Sequence, residues 1–441
     1  MSLGGDARAV RRVPSLDGIR GLAVLWVFAF HANALLAEGL QGPAVGWGQS
    51  LAEKGLLGVQ LFFLLSGFLL AQPWIRAQAL GLPRPRLGHF YGRRARRILP
   101  AYWLHLALLF GVVLPLLQGG YGVLQTAVGQ VNLLLHPLLL QFAHPGTSTS
   151  LGINMALWSL TIEAQFYLLL PLLAPLFAGR RVLIALPLTL GLSLAWKGLA
   201  PGLLADWVIL QAPPSLLVFF DPISGRPIPF PPGALALFIE RQLPGELMAF
   251  GLGMAAANLL WILSPQAFRG NVATQRPQGA ALDPWLDWGA LGAIVLAAWT
   301  LAALPFEAVI QGAAWRNLGM PLFLIGSALL VLGAARETPV LRRLLGSPLL
   351  ALPGVISYSL YLWHEPIIRL VRHGVRAGRE GILGSLCQTP GCAIALALVA
   401  SLAVAALSYR LAERSWSYPR NSPRQDERSN STGVQASTGP D

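Results

Sequence analysis

The chain has 441 residues, of which 54% are hydrophobic and 12% charged, with a formal net charge of +13. Soluble domains carry roughly 25% charged residues, so this composition excludes an ordinary soluble enzyme and indicates a polytopic membrane protein. No segment alternates as a barrel strand does, so the expected fold class is all-α, a polytopic transmembrane helical bundle.

In chain order the apolar runs predict about ten spans, near residues 18–37, 56–74, 98–118, 155–178, 182–198, 242–262, 287–304, 317–335, 354–371 and 391–412. Two segments stay ambiguous. The stretch 121–141 reads as interfacial or re-entrant, and 202–220 is broken by "QAPP". Most of the 32 Lys and Arg residues fall in segments that face inward if the N-terminus is inside, so both termini are expected in the cytoplasm. This bias accounts for the net charge without a nucleic-acid partner. "RLVRHGVRAGR" is a local exception on the outer side, suited to an anionic acceptor or lipid head group through Arg369, Arg372, Arg376 and Arg379.

The expected organisation is a basic cytoplasmic N-terminus over 1–13, a transmembrane domain over 14–420 and a disordered polar tail over 421–441. Arg20 interrupts the first apolar run, which argues against a cleaved leader. Cys387 and Cys392 bracket a Pro-Gly turn in an outer loop; a disulfide and two free thiols are both compatible with that spacing.

The first span, "LDGIRGLAVLWVFAFHANALL", contains Arg20 and His31. Eleven steps of about 100° place them on one face, about 16 Å apart. Ionisable groups inside a membrane are costly and mark function more often than packing. His31 suits a general base, because an imidazole takes up and releases a proton near neutral pH. Glu163 shares a face with Ser159 and Tyr167, from which it can orient the imidazole, stabilise its protonated form or bind acceptor hydroxyls. Ser357, Tyr361 and His364 form a second stripe, readable as an acceptor tunnel or as aromatic packing. Ser66-Gly67 reads as a close-packing notch rather than a nucleophile. No metal-ligand cluster stands out.

Several segments, in order, resemble the membrane-bound acyltransferase 3 family. They are the Arg20–His31 pair, "FFLLSGFLL" at 62–70, "FYGRRARRILPAYW" at 90–103 with Arg94 and Arg97, "LWSLTIEAQFYLLLPLL" at 157–173, and "ISYSLYLWHEP" at 356–366 followed by "SYRLAERSW" at 408–416. "RQLPGELMAFGLGMAAA" is a looser match. Two departures stand out: Glu365 occupies a position where the family more often has an apolar or aromatic residue, and no proline follows Glu413-Arg414. The resemblance implies a stand-alone transmembrane acyltransferase domain in the plasma (inner) membrane. Its donor would be acyl-CoA, with acetyl-CoA as one candidate, and its acceptor a hydroxyl on a carbohydrate or glycosylated molecule; membrane lipids would surround it and no permanent cofactor would be bound. Arg20, Arg94 and Arg97 would then meet the donor's phosphates, a task guanidinium groups perform well. The competing expectation is a transporter or flippase of a lipid-linked substrate, for which buried His and Glu residues also serve as proton relays.

Overall fold

Helix α1, Pro14–Leu36, begins with a proline whose missing N–H costs nothing at a helix start, and with Asp17 in its positively polarised first turn. The computed structural model describes residues 13–36, 43–221, 225–264, 282–310, 312–377, 387 and 389–414. The predicted tail over 421–441, and all of the N-terminal segment except Val13, lie outside these residues.

Nine helical segments among the described residues are long and apolar enough to cross a membrane: Pro14–Leu36, Gly55–Ala79, Leu87–Gln118, Met155–Phe177, Gly179–Gln211, Leu243–Leu263, Asp283–Ala303, Trp315–Ala335 and Pro390–Glu413. Within them run α3 (Gly58–Ala79), α4 (Leu87–Leu108), α7 (Trp158–Leu173), α8 (Val182–Gln211), α10 (Leu243–Leu263), α11 (Asp283–Ala303) and α13 (Met320–Ala335). Shorter helices connect them: α2 (Pro43–Glu53), α5 (Leu114–Gln118), α6 (Ala127–Leu135), α9 (Pro232–Glu240), α12 (Phe306–Ile310), α14 (Pro339–Leu345) and α15 (Pro348–Val355). The chain is therefore a multi-pass helical membrane protein.

The one remaining predicted span, 354–371, corresponds to α16, Ser357–Ala377, which has the length of a span but too many charges to qualify by composition. It packs against α1 and against α17, Pro390–Ser408, and every residue from Ser359 to Arg369 is buried. Protein rather than lipid surrounds Glu365, Arg369 and Arg372, while Arg376 in the last turn is exposed. At the other extreme, α8 exposes a row of leucines, among them Leu183, Leu188, Leu203 and Leu210, as a lipid-facing helix does.

The ambiguous segments resolve differently. Residues 202–211 continue α8, which accommodates Pro187 and Pro201 within its length. It ends before a small antiparallel ribbon of β1 (Val218–Phe220) and β2 (Pro227–Pro229). The 121–141 segment holds only the nine-residue α6 between tight turns, too short to span. Cys387 and Cys392 are joined by a disulfide with Cα atoms 5.2 Å apart, at the start of α17.

Backbone-to-backbone packing holds α1 in place. A side-chain carbon at Gly21 would lie 1.8 Å from the Leu350 carbonyl oxygen, and one at Gly354 would lie 1.7 Å from the Asp17 carbonyl oxygen. Small residues let membrane helices approach this closely, and dispersion then replaces the missing hydrophobic drive. Because overpacking costs about 1–3 kcal/mol even where side chains can yield, and backbone cannot, Gly21→Ala is expected to lower the thermal unfolding midpoint in detergent by more than about 5 °C. Gly191→Ala, on α8 where nothing lies within 4 Å, is expected to leave the midpoint unchanged or raised.

Candidate functional site: a histidine pair against a buried ion pair

Glu365 and Arg369 lie one helical turn apart on α16, the spacing at which side chains of a helix meet. Arg369 donates to Glu365 Oε1 from Nε at 3.0 Å and from Nη2 at 2.7 Å. The other oxygen, Oε2, accepts from the Ala156 backbone N–H at 3.0 Å. With both oxygens engaged, the carboxylate has a fixed orientation. Ala156 is itself clasped, since the Tyr361 hydroxyl donates to its carbonyl at 2.8 Å and neighbouring Asn154 donates to the Leu362 carbonyl at 2.9 Å.

His31 of α1 faces this ion pair, with Nε2 3.4 Å from Glu365 Oε2. The surrounding acceptors assign the ring protons. His364 Nδ1 lies 2.8 Å from the Tyr361 carbonyl, so it carries a proton and leaves Nε2 as an acceptor. That acceptor is 3.2 Å from His31 Nδ1, which also faces the Val27 carbonyl at 3.1 Å. Both His31 nitrogens therefore face acceptors, Nδ1 the Val27 carbonyl and His364 Nε2, and Nε2 the Glu365 carboxylate. The His31 side chain is 15% exposed whereas Glu365 is fully buried, so the imidazole is the part of this pair that a substrate can reach. The arrangement holds an imidazolium at His31 through acceptors on both ring nitrogens.

A second cluster gathers the other predicted residues. Arg20 donates to Asp17 Oδ1 at 2.9 Å and keeps 23% of its side chain exposed. Arg97 and Arg94 of α4 bear electrostatically on Arg20, and Arg94 also bears on Glu163 and Tyr167 of α7. Glu163 accepts from Ser66 of α3 at 2.7 Å and, through a very short bond, from Tyr167. Three guanidinium groups and the Glu163 carboxylate thus lie within electrostatic range of one another. Tyr361 stands between the two clusters: both Glu365 and Glu163 act on its hydroxyl, which lies 2.7 Å from Ser159 Oγ.

The structure therefore brings His31 to His364, and brings Glu163 to Ser66, Tyr167 and Arg94. The carboxylate beside His31 is Glu365. Tyr361 and His364 are adjacent, with ring centroids 5.6 Å apart, while Ser357 is buried at the start of α16. Ser66 is a hydrogen-bond donor to Glu163, while its neighbour Gly67 is the packing notch, where a side-chain carbon would lie 2.2 Å from the Phe250 carbonyl oxygen. Glu365, Asn154 and Glu413, which bonds Ser359 through a very short contact, are additions that the sequence reading did not select. Arg369, read there as one of an outer arginine group, turns inward to Glu365. Among the described residues no group of three or more His, Cys, Asp or Glu side chains is arranged to hold a metal ion.

Breaking a buried ion pair from one side costs about 3–5 kcal/mol because a charge is left uncompensated, whereas replacing both partners costs much less. Arg369→Met is accordingly expected to lower the unfolding midpoint strongly. The double variant Glu365→Gln/Arg369→Met should recover most of that loss in the same thermal unfolding assay.

Comparison with known proteins places this geometry in context. The chain is 25% identical over 426 residues to the peptidoglycan O-acetyltransferase OatA of Listeria monocytogenes, an alignment covering 91% of this chain and 55% of that protein. It is 35% identical over 172 residues to the acyltransferase MdmB of Streptomyces mycarofaciens, covering 37% of this chain and 39% of the relative. The chain thus spans about half the length of the Listeria protein. No solved structure matches it. The profile of the acyltransferase 3 family, described as an acyltransferase domain, matches residues 13–410, and on that near-complete coverage the chain belongs to this family.

Proposed function

We propose that this protein is an integral plasma-membrane O-acyltransferase that moves an acyl group from cytoplasmic acyl-CoA, such as acetyl-CoA, to a hydroxyl of a carbohydrate or glycosylated acceptor. The observation that carries this reading is the reachable His31 imidazole, its Nε2 3.4 Å from the doubly anchored Glu365 carboxylate. In the proposed step the acceptor oxygen attacks the thioester carbonyl and its proton passes to the neutral His31 imidazole. Glu365 stabilises the imidazolium, the C–S bond breaks, and the departing thiolate takes the proton from His31. His31 is the general base. Glu365, in the role first considered for Glu163, is a positioning residue.

Arg20, Arg94 and Arg97 form the donor site, where their convergence suits the several phosphate charges of coenzyme A. Glu163 belongs to this site through Arg94. Tyr361 and His364 line the path between donor and acceptor, and Ser357 supports the start of their helix. Residues 14–420 form the acyltransferase domain, with both termini cytoplasmic and the Cys387–Cys392 disulfide outside, where oxidation is permitted. The Listeria relative is named for peptidoglycan O-acetylation, which makes a peptidoglycan fragment the first acceptor to try.

The test is coenzyme A release and acyl transfer by the purified protein in proteoliposomes. His31→Gln is expected to lower turnover by about 10²–10⁴ while donor binding persists. Arg94→Ala and Arg97→Ala are expected to raise the donor KM about tenfold with kcat less affected, as removal of a charge-assisted contact should. Near-normal turnover by His31→Gln would overturn the assignment of the base, and an absence of coenzyme A release with every acceptor would overturn the reaction class.

A further inference from the structure

One cation near His31 has no task in the chemistry above. Arg241, which follows α9, lies with its guanidinium carbon 5.0 Å from the centre of the Trp158 ring. Trp158 is fixed on other sides by Phe142 and Phe63, with ring centroids 5.4 and 6.0 Å away. The next residue, Ser159, meets Tyr361, and Tyr361 packs on His364, which meets His31. Arg241 also lies within electrostatic range of the Tyr361 hydroxyl. It therefore stands beside the acceptor end of the proposed reaction path.

The charges around Arg241 do not cancel. Glu246 is met by Lys197 at 3.3 Å and by Gln60 at 2.7 Å, and Glu240 is met by Arg316 at 3.7 Å. Both carboxylates act on Arg241 at longer range, but each has a nearer cation of its own. Three cations against two carboxylates leave one positive charge in excess. Among the described residues the Arg241 guanidinium makes no hydrogen bond and no ion pair within 4.0 Å; the face of Trp158 is what holds it. Arg241 and Trp158 are both only partly buried, so the site is open.

A guanidinium has five N–H donors in a planar fork that matches a carboxylate or a phosphate, and stacking on an aromatic face orients the fork without using those donors. A preoriented, unneutralised fork at the end of a polar path is suited to an anion that arrives with the substrate. We infer that Arg241, laid on Trp158, is an acceptor subsite that binds an anionic group, carboxylate or phosphate, carried by the glycan. This rests on the O-acyltransferase reading and narrows its acceptor to an acidic carbohydrate.

The test uses the full chain in lipid nanodiscs and three disaccharides of one skeleton: a glucuronic acid form, its carboxamide and the corresponding 6-phosphate. Equilibrium binding and acyl transfer are measured separately. The wild-type protein is expected to bind at least one anionic form about tenfold or more tighter than the carboxamide, consistent with a charge-assisted bidentate contact. The preferred arm identifies carboxylate or phosphate. Arg241→Gln should bring the ratio to within about twofold of one, and Arg241→Lys, which keeps the charge but loses the fork, should give an intermediate ratio. Binding of both anionic forms no tighter than that of the carboxamide by the wild-type protein, no binding of either anionic form, or an unchanged ratio in Arg241→Gln overturns the inference. If Arg241→Gln does not fold, an unchanged ratio in Arg241→Lys does so. Charge-dependent binding without transfer to any acceptor overturns the O-acyltransferase reading alone, whereas transfer without charge preference overturns the Arg241 assignment alone.

Discussion

A carboxylate with no exposed surface inside an apolar bundle persists only if its charge is met within hydrogen-bond distance, and Glu365 meets this constraint through partners from three parts of the chain. Arg369 comes from its own helix, the Ala156 N–H from the turn before α7, and His31 from α1. Each lost partner would leave an ion in a medium that cannot solvate it. The position of α16 follows from this requirement. A helix carrying these charges belongs in the middle of the protein, with α1 and α17 shielding it from lipid.

Contacts at the backbone level make the shielding possible. The glycines of α1 and α15 bring main chains together, and α3 and α10 repeat the device: side-chain carbons at Gly67 and Gly253 would lie 2.2 and 2.0 Å from carbonyl oxygens of the opposite helix. Close approach on one side and ion pairing on the other confine α1 from both directions. His31 is thereby held at a set distance from Glu365, and a base that must take a proton at one particular atom needs such confinement more than it needs a strong intrinsic basicity.

The spans were legible in the sequence because long apolar runs have few other uses. α16 was legible as the apolar run over 354–371, although His364, Glu365 and Arg369 lower its apolar character. Arg20 and His31 were legible for the opposite reason, as ions in an apolar helix. The identity of the carboxylate beside His31 was not. Glu365 and Arg369 stand at i and i+4, a spacing that signals a pair, but one looked like a departure from the family pattern and the other like one of an outer arginine group. Pairings across helices leave no local trace: Ser66 and Glu163 are 97 residues apart, and His31 and His364 are 333 apart. Nor does the sequence say that α8 runs on through Pro201, because a proline kink and a proline stop are written alike.

The same polarity of α16 governs how the chain can be made. A helix with Glu365, Arg369, Arg372 and Arg376 along its length gains little by leaving the translocation channel for lipid alone, since each such charge costs about 2.5–3.5 kcal/mol near the centre of a span. Its hydrogen-bonding partners in other helices are synthesised more than 200 residues earlier, His31 on α1 and Ala156 before α7. Integration of α16 is therefore a late, assembly-dependent event in which the earlier helices must already stand in the bilayer as a partly built receptor. The strongly apolar α17, made immediately afterwards, supplies the anchor that keeps α16 in place while its partners are found.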